Sequence, residues 1–160
     1  MLQRVQTVFL ALVFVSMIVS VVSPHWQKFH SETKEIAQLT AVKLTHYIDI
    51  NSEEKQSETW TFYIAILALL ASGVSIYSTL SYKNRLTQIK LGALNSLLMG
   101  GALILSVYYS FDGEKLFNTG MKGAYLVGFY AIFAGLFFNV IANRFIRRDE
   151  RLARSVDRIR

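Results

Sequence analysis

The 160-residue chain contains no cysteine and a single proline. The first absence excludes disulfides, cysteine-ligated zinc or iron–sulfur sites and thiol redox chemistry. A more telling shortage is charge. Asp, Glu, Lys and Arg make up 18% of the chain, against about 25% in an ordinary soluble domain. They are also unevenly placed. Stretches 5–27, 59–82, 91–111 and 123–143 hold none of these residues and are 23, 24, 21 and 21 residues long. Thus 89 of 160 positions carry none of the 28 charges. About 20 apolar residues suffice to carry a helix across a ~30 Å hydrocarbon layer. A soluble domain of this size has no core able to bury four such rods, so the expected fold class is an all-α integral membrane protein.

The charges that are present explain themselves by position. The net charge is +6, which invites a nucleic-acid reading. By segment, the residues before the first run carry +1, 24–58 carry −2, 83–90 carry +3, 112–122 balance to zero and 144–160 carry +4. Basic segments alternate with neutral or acidic ones, the positive-inside pattern of a multi-pass protein. Both termini and the 83–90 connector are therefore expected in the cytoplasm, and no nucleic-acid partner is needed to account for the charge. Arg4 ahead of an apolar run resembles a secretory signal. The run is long, however, and Val21-Val22-Ser23 is followed directly by Pro24, so it reads as a retained first helix.

The expected organisation is one transmembrane domain, 1–160, with spans at about 4–23, 60–82, 91–110 and 123–143. Pro24 ends the first span because it cannot continue the hydrogen-bond ladder. Short connectors favour antiparallel neighbours and hence a four-helix bundle. Trp26, Phe29, Trp60, Phe62, Tyr63, Tyr108, Tyr109, Phe111 and Phe117 collect at the outer ends of the spans, where an aromatic belt belongs. In the outer loop 24–59, Val42, Leu44, His46, Ile48 and Ile50 alternate with Lys43, Thr45, Tyr47 and Asp49, a period of two that predicts a half-buried strand. A small strand or hairpin cap over the outer face follows.

Few residues suggest chemistry. The charge-free stretches that make up the spans hold no Asp, Glu, Lys or Arg, whereas carriers and channels place such groups on their pathways. Small multidrug exporters with a membrane-embedded glutamate and thiol oxidoreductases with paired cysteines are both excluded. His25, His30 and His46 share the outer loop with Glu32, Glu35 and Asp49, but no metal-ligand spacing appears, so solvated or interfacial histidines are expected. No catalytic, metal or cofactor site is assigned, and no cofactor is expected.

Small and amide side chains are better organised. Ala124, Gly128, Ala131, Gly135, Asn139 and Ala142 share one face of the fourth span. Gly92, Ser96 and Gly100 line the third, and Ala68, Ala71, Ser72 and Ser75 the second. Such stripes let helices approach closely in lipid, either within the bundle or against another membrane protein or a second copy. Asn95 and Asn139 each lie four residues inside the cytoplasmic end of a span. Because a lone amide in hydrocarbon is costly, they are expected to face each other or to share a polar neighbour such as Gln6. In the tail 144–160, Ala142, Phe145, Asp149, Leu152, Val156 and Ile159 step by three and four, an amphipathic cytoplasmic helix continuing the fourth span. Arg147, Arg151, Arg154 and Arg158 form another face, with Glu150 four residues before Arg154. This face suits solvent, anionic headgroups or a protein partner.

The opening Gln3-Arg4-Val5-Gln6-Thr7, Pro24 and Trp26, Lys83-Asn84-Arg85-Leu86 with Gln88, Leu91 and Asn95, and the ending Ala142-Asn143-Arg144-x-Ile146-Arg147-Arg148-Asp149-Glu150-x-Leu152-x-Arg154-Ser155-x-Asp157-Arg158 are similar to a family of small four-span proteins. It is a domain-of-unknown-function family from one phylum of Gram-negative bacteria, and the resemblance spans essentially the whole chain. It implies a four-helix inner-membrane protein with cytoplasmic termini and brings no activity, substrate or cofactor. The matching polar positions Gln3, Arg4, Gln6, Asn84, Arg85, Gln88, Asn95, Asn143, Arg144, Arg147, Arg148, Arg154 and Arg158 all fall at the cytoplasmic end, as does Arg151. This end is the expected interaction face. The expected function is a non-enzymatic accessory or scaffold subunit of a larger membrane complex. The alternative is a homodimeric bundle that binds or transports a lipid or small molecule, and an outer-loop enzyme acting on lipid through His25, His30 or His46 is the weakest reading.

Overall fold

A computed structural model describes residues 2–30, 34–48, 55–82, 84–116 and 122–157. The chain is mostly helical, with four helices and a five-stranded antiparallel sheet. The helices are α1 (Leu2–Val22), α2 (Tyr63–Leu80), α3 (Arg85–Glu114) and α4 (Val127–Asp157); the strands are β1 (Trp26–Phe29), β2 (Ile36–Leu39), β3 (Lys43–Tyr47), β4 (Lys55–Trp60) and β5 (Ala124–Tyr125). All four helices are long and apolar enough to cross a membrane.

Each helix buries one stripe spaced by threes and fours. On α1 it is Gln6, Leu10, Val13, Met17 and Ser20; on α3 it runs from Gln88 through Gly92, Asn95, Met99, Ala102 and Ser106 to Ser110 and Gly113. On α4 it includes Ile132, Asn139, Ala142, Ile146 and Asp149. This is the repeat that interlocks side chains of nearly parallel helix axes. The helices form a ring in which α1 and α3 each pack on α2 and α4. Met17, Met99 and Ile132 meet at mid-height with the small Ala68 and Ala71 of α2. The other faces carry large apolar side chains outward, among them Val8, Leu97, Ile104, Phe133 and Phe137. A soluble helix would hide these.

The sheet has order β4-β3-β2-β1-β5 and closes one end of the helices. Three anchors seat it there. The turn between β2 and β3 is tied to the start of α2, with Ala41 buried, the Ala65 amide donating to the Ala41 carbonyl at 3.1 Å and the Thr61 amide to that of Val42 at 2.8 Å. Trp26 of β1, only 1% exposed, fills the space over Gly113 and Gly123, where any Cβ would overlap its ring. The Leu126 and Gly128 amides donate to the carbonyls of His25 and Pro24, bringing the start of α4 against the end of α1. The start of α1, the turn between α2 and α3 and the end of α4 lie at the opposite, terminal end, where Phe9 stacks on Phe145 at 5.8 Å.

Several boundaries differ from the sequence reading. Trp60 closes β4, so the second helix begins at Tyr63. Residues 124–125 are a strand, and the fourth helix begins at Val127. The 83–90 connector is largely the first turns of α3, and the span and tail of α4 form one unbroken 31-residue helix. Trp26 leaves the aromatic belt for the interior, whereas Phe29, Trp60, Phe62, Tyr63, Tyr108 and Phe111 stay on the surface; Phe117 lies outside the described residues. The alternation along β3 is also imperfect. Leu44, Thr45 and His46 are all buried, covered on both faces, while Val42 and Ile48 are exposed; Asp49 and Ile50 lie outside the described residues.

Candidate functional site

The structure places the sequence-derived polar residues in two settings at the terminal end, one inside the ring of helices and one on its surface. The inner setting is a layer of buried amides and hydroxyls. Gln88 is placed on the core stripe of α3 and donates from Nε2 to the Ser78 carbonyl at 2.8 Å, which clips the α2–α3 turn. Ser75 donates to the Leu10 carbonyl at 2.6 Å, joining α2 to α1. Asn139 of α4 donates from Nδ2 to the Gly92 carbonyl and to Ser96 Oγ, both at 2.8 Å. Gly92 is where α4 comes closest, since a Cβ there would fall on the Asn143 carboxamide.

Asn95 is equally buried on α3, but no hydrogen bond joins it to Asn139, and neither its Oδ1 nor its Nδ2 has a partner. Gln6 Oε1, Ser78 Oγ, Gln88 Oε1, Asn139 Oδ1 and Asp149 Oδ1 are likewise buried without one. Burying such atoms costs on the order of 1–3 kcal/mol each. Packing of apolar side chains would not call for them, and all of them lie toward the terminal end of the bundle.

The tail residues divide differently from their sequence pattern. The buried stripe of α4 proceeds through Ala142 and Ile146 to Asp149. Leu152, expected on the same apolar face, is 50% exposed, so α4 leaves the other helices beyond Asp149. Asn84 accepts from the Thr87 amide at 3.2 Å and serves as the N-cap of α3, a local role sufficient to explain an asparagine before a helix. Arg85 is half-exposed on the following turn. The side chains of Gln3, Arg4, Arg154 and Val156, and residues Arg158 and Ile159, lie outside what the structure describes.

The surface setting is a groove between α3 and α4 with a volume of about 770 Å³. Ala93 and Ser96 form one wall, and Val140, Asn143, Arg144, Arg147, Arg148 and Arg151 form the other. All four arginines belong to the interaction face expected from the sequence, but only Arg147 and Arg151 to the tail's arginine stripe. Ala93 was not expected there, because it pairs with them only across the α3–α4 contact.

At the sheet end, His25 is fully buried, correcting the expectation of a solvated ring. Its Nδ1 lies 2.9 Å from Ser106 Oγ, and its Nε2 lies 3.0 Å from the Ser20 carbonyl and 3.1 Å from Ser20 Oγ. A neutral ring protonated on Nε2 donates to the Ser20 carbonyl and leaves Nδ1 to accept from the Ser106 hydroxyl, and burial pushes its pKa below the ordinary 6.5. His46 is also buried, with Nε2 at 3.5 Å from Glu35 Oε2. Lys28, 5% exposed, reaches Glu114 Oε2 at 2.9 Å and the Glu114 carbonyl at 3.0 Å. Glu114 Oε1 also accepts from the Gly123 amide at 2.6 Å. This pair ties β1 to the last turn of α3. Sequence reasoning missed it because its members lie in different segments.

No curated protein matches the chain. Its own pattern does match a family model over residues 2–159, and the chain belongs to that family, described as a domain of unknown function (DUF4293).

Proposed function

We propose that the chain is a bacterial inner-membrane protein, an antiparallel four-helix transmembrane bundle with the sheet outside and both termini in the cytoplasm, acting as a non-enzymatic accessory or scaffold subunit. The observation that supports this most is the form of α4. A single helix of 31 residues is roughly 46 Å long at 1.5 Å per residue. It therefore exceeds a ~30 Å hydrocarbon layer and carries Arg144, Arg147, Arg148 and Arg151 beyond it. A rigid, cationic extension of a span is suited to presenting a fixed surface to another subunit. The buried amides Gln6, Gln88, Asn95 and Asn139 place further polar groups at the same end.

Affinity purification of the full chain in mild detergent at native expression tests the reading. The expected result is one or more membrane proteins recovered in fixed ratio, and lost from a chain ending at Arg148. Recovery of a monomer alone would overturn it.

The second reading, a homodimeric bundle that binds or transports a lipid or small molecule, draws on the α3–α4 groove. Its 770 Å³ lies in the range of small-molecule sites, about 300–1,000 Å³.

A further inference from the structure

We propose that the groove between α3 and α4 binds one anionic phospholipid, with its phosphate on Arg144, Arg147, Arg148 and Arg151 and an acyl chain against Ala93 and Val140. The inference rests on the membrane placement proposed above, and its specific content is the occupant of this groove. The walls change character along their length. Ala93, Ser96, Val140 and Asn143 belong to the charge-free stretches, and Arg144 is the first residue past the second of them. From Val140 to Arg151 the helix rises roughly 16 Å. The groove therefore passes from an apolar wall, through Ser96 and Asn143, to a cluster of guanidinium groups. A phospholipid has the same order of acyl chain, ester-bearing glycerol and phosphate.

Charge points the same way. Among the described residues, no carboxylate lines the groove. Asp149, which follows Arg148 directly, is buried on the opposite, core-facing side of α4. Every cation in the groove is arginine, whose planar fork can hold phosphate oxygens in pairs where an ammonium acts as a point charge. An acidic protein segment would satisfy the arginines but not the apolar upper half, which lies at the depth of lipid. Basic pockets between spans on the cytoplasmic side are suited to anionic headgroups for this reason.

Native mass spectrometry of the full-length protein in detergent tests the assignment, with phosphatidylglycerol and phosphatidylcholine of identical acyl chains added in turn. Phosphatidylglycerol is expected to be retained at least tenfold better. Arg144→Gln combined with Arg147→Gln should reduce its retention by about tenfold or more, since each cation near an anionic headgroup contributes roughly a fivefold factor. Lys115→Gln, at the sheet end, should leave it unchanged. Ala93→Phe retains every charge but fills the groove, so it too should reduce retention; all altered residues are exposed, which keeps the fold out of the comparison. Equal retention of both lipids, or wild-type retention by the arginine variant, would overturn the proposal. Loss with the arginine variant but not with Ala93→Phe would reduce it to a surface charge effect and also overturn it, as would displacement of the lipid by millimolar inorganic phosphate. Resistance to carbonate extraction reads membrane integration separately, so a failure there is distinguishable from a failure of the site.

Discussion

Asn95 and Asn139 show how the same residue type, at the same depth, can play opposite energetic parts. Asn139 makes two hydrogen bonds to α3, so Asn139→Leu should destabilise the fold by about 1 kcal/mol, the scale of interhelical hydrogen bonds in membranes. Asn95 buries both polar atoms without a partner. Replacing it by an apolar residue of similar size relieves a desolvation cost, so Asn95→Leu should be neutral or stabilising. Unfolding in mixed detergent micelles would measure both, and a large loss for Asn95→Leu would show that its amide is bonded in the membrane. If Asn95→Leu is stable yet fails to recover the partner, the amide serves binding, not folding. His25 provides a second test at this scale. Its folded pKa is lowered, so above about 6.5 both folded and unfolded rings are neutral and stability is flat. As pH falls below 6.5 the unfolded ring gains a proton that the folded ring resists, and stability should decline by up to ~1.4 kcal/mol per pH unit. Melting temperatures between pH 7.5 and 5.5 should show this slope in the wild type and lose it in His25→Asn.

Among the elements, the helices were legible because a lack of charge over twenty residues is itself the physical requirement for crossing lipid. Their ends were not. Trp60 and the 123–125 segment are as apolar as a span, and only pairing with distant partners, Lys43 for Trp60 and Trp26 for Tyr125, makes them strands. The alternation in β3 identified a strand, but covering both faces of Leu44–His46 broke the pattern around it. The burial of Trp26 and His25 likewise depends on glycines and serines about 80 to 100 positions away, which no local period encodes. The tail arginines were legible as a face, whereas the wall opposite them was not. The Lys28–Glu114 pair illustrates the consequence for stability. Glu114→Gln would leave a nearly buried ammonium facing a neutral amide. Loss of one member of a buried pair costs about 3–5 kcal/mol, and the partial exposure of Glu114, 28%, reduces this to roughly 1–2 kcal/mol after screening. The sheet should then be cleaved by protease before the helices unfold, and simultaneous loss of both would show that the cap and helices form one cooperative unit.

For the molecule as a whole, orientation is the property with most consequence, because the groove, the arginine helix and the buried amides all lie at one end. Three segments at the terminal end carry +1, +3 and +4, against −2 and zero at the sheet end. Positive charge on short loops resists translocation, so the terminal end should remain in the cytoplasm. The absence of cysteine makes this simple to measure, since a single introduced thiol is the only one that a maleimide can find. Lys115→Cys and Ser155→Cys place it on exposed positions at opposite ends. In intact spheroplasts, a membrane-impermeant maleimide should label the Lys115→Cys protein and leave the Ser155→Cys protein unlabelled until the membrane is permeabilised. The reverse pattern would put the arginines outside, facing a leaflet and partners other than those proposed. Labelling of both without permeabilisation would remove the bilayer from the interpretation. Neutralising Lys83, Arg85 and Lys90 together should produce a fraction of reversed chains, because it erases the largest charge on any connector while leaving every span intact.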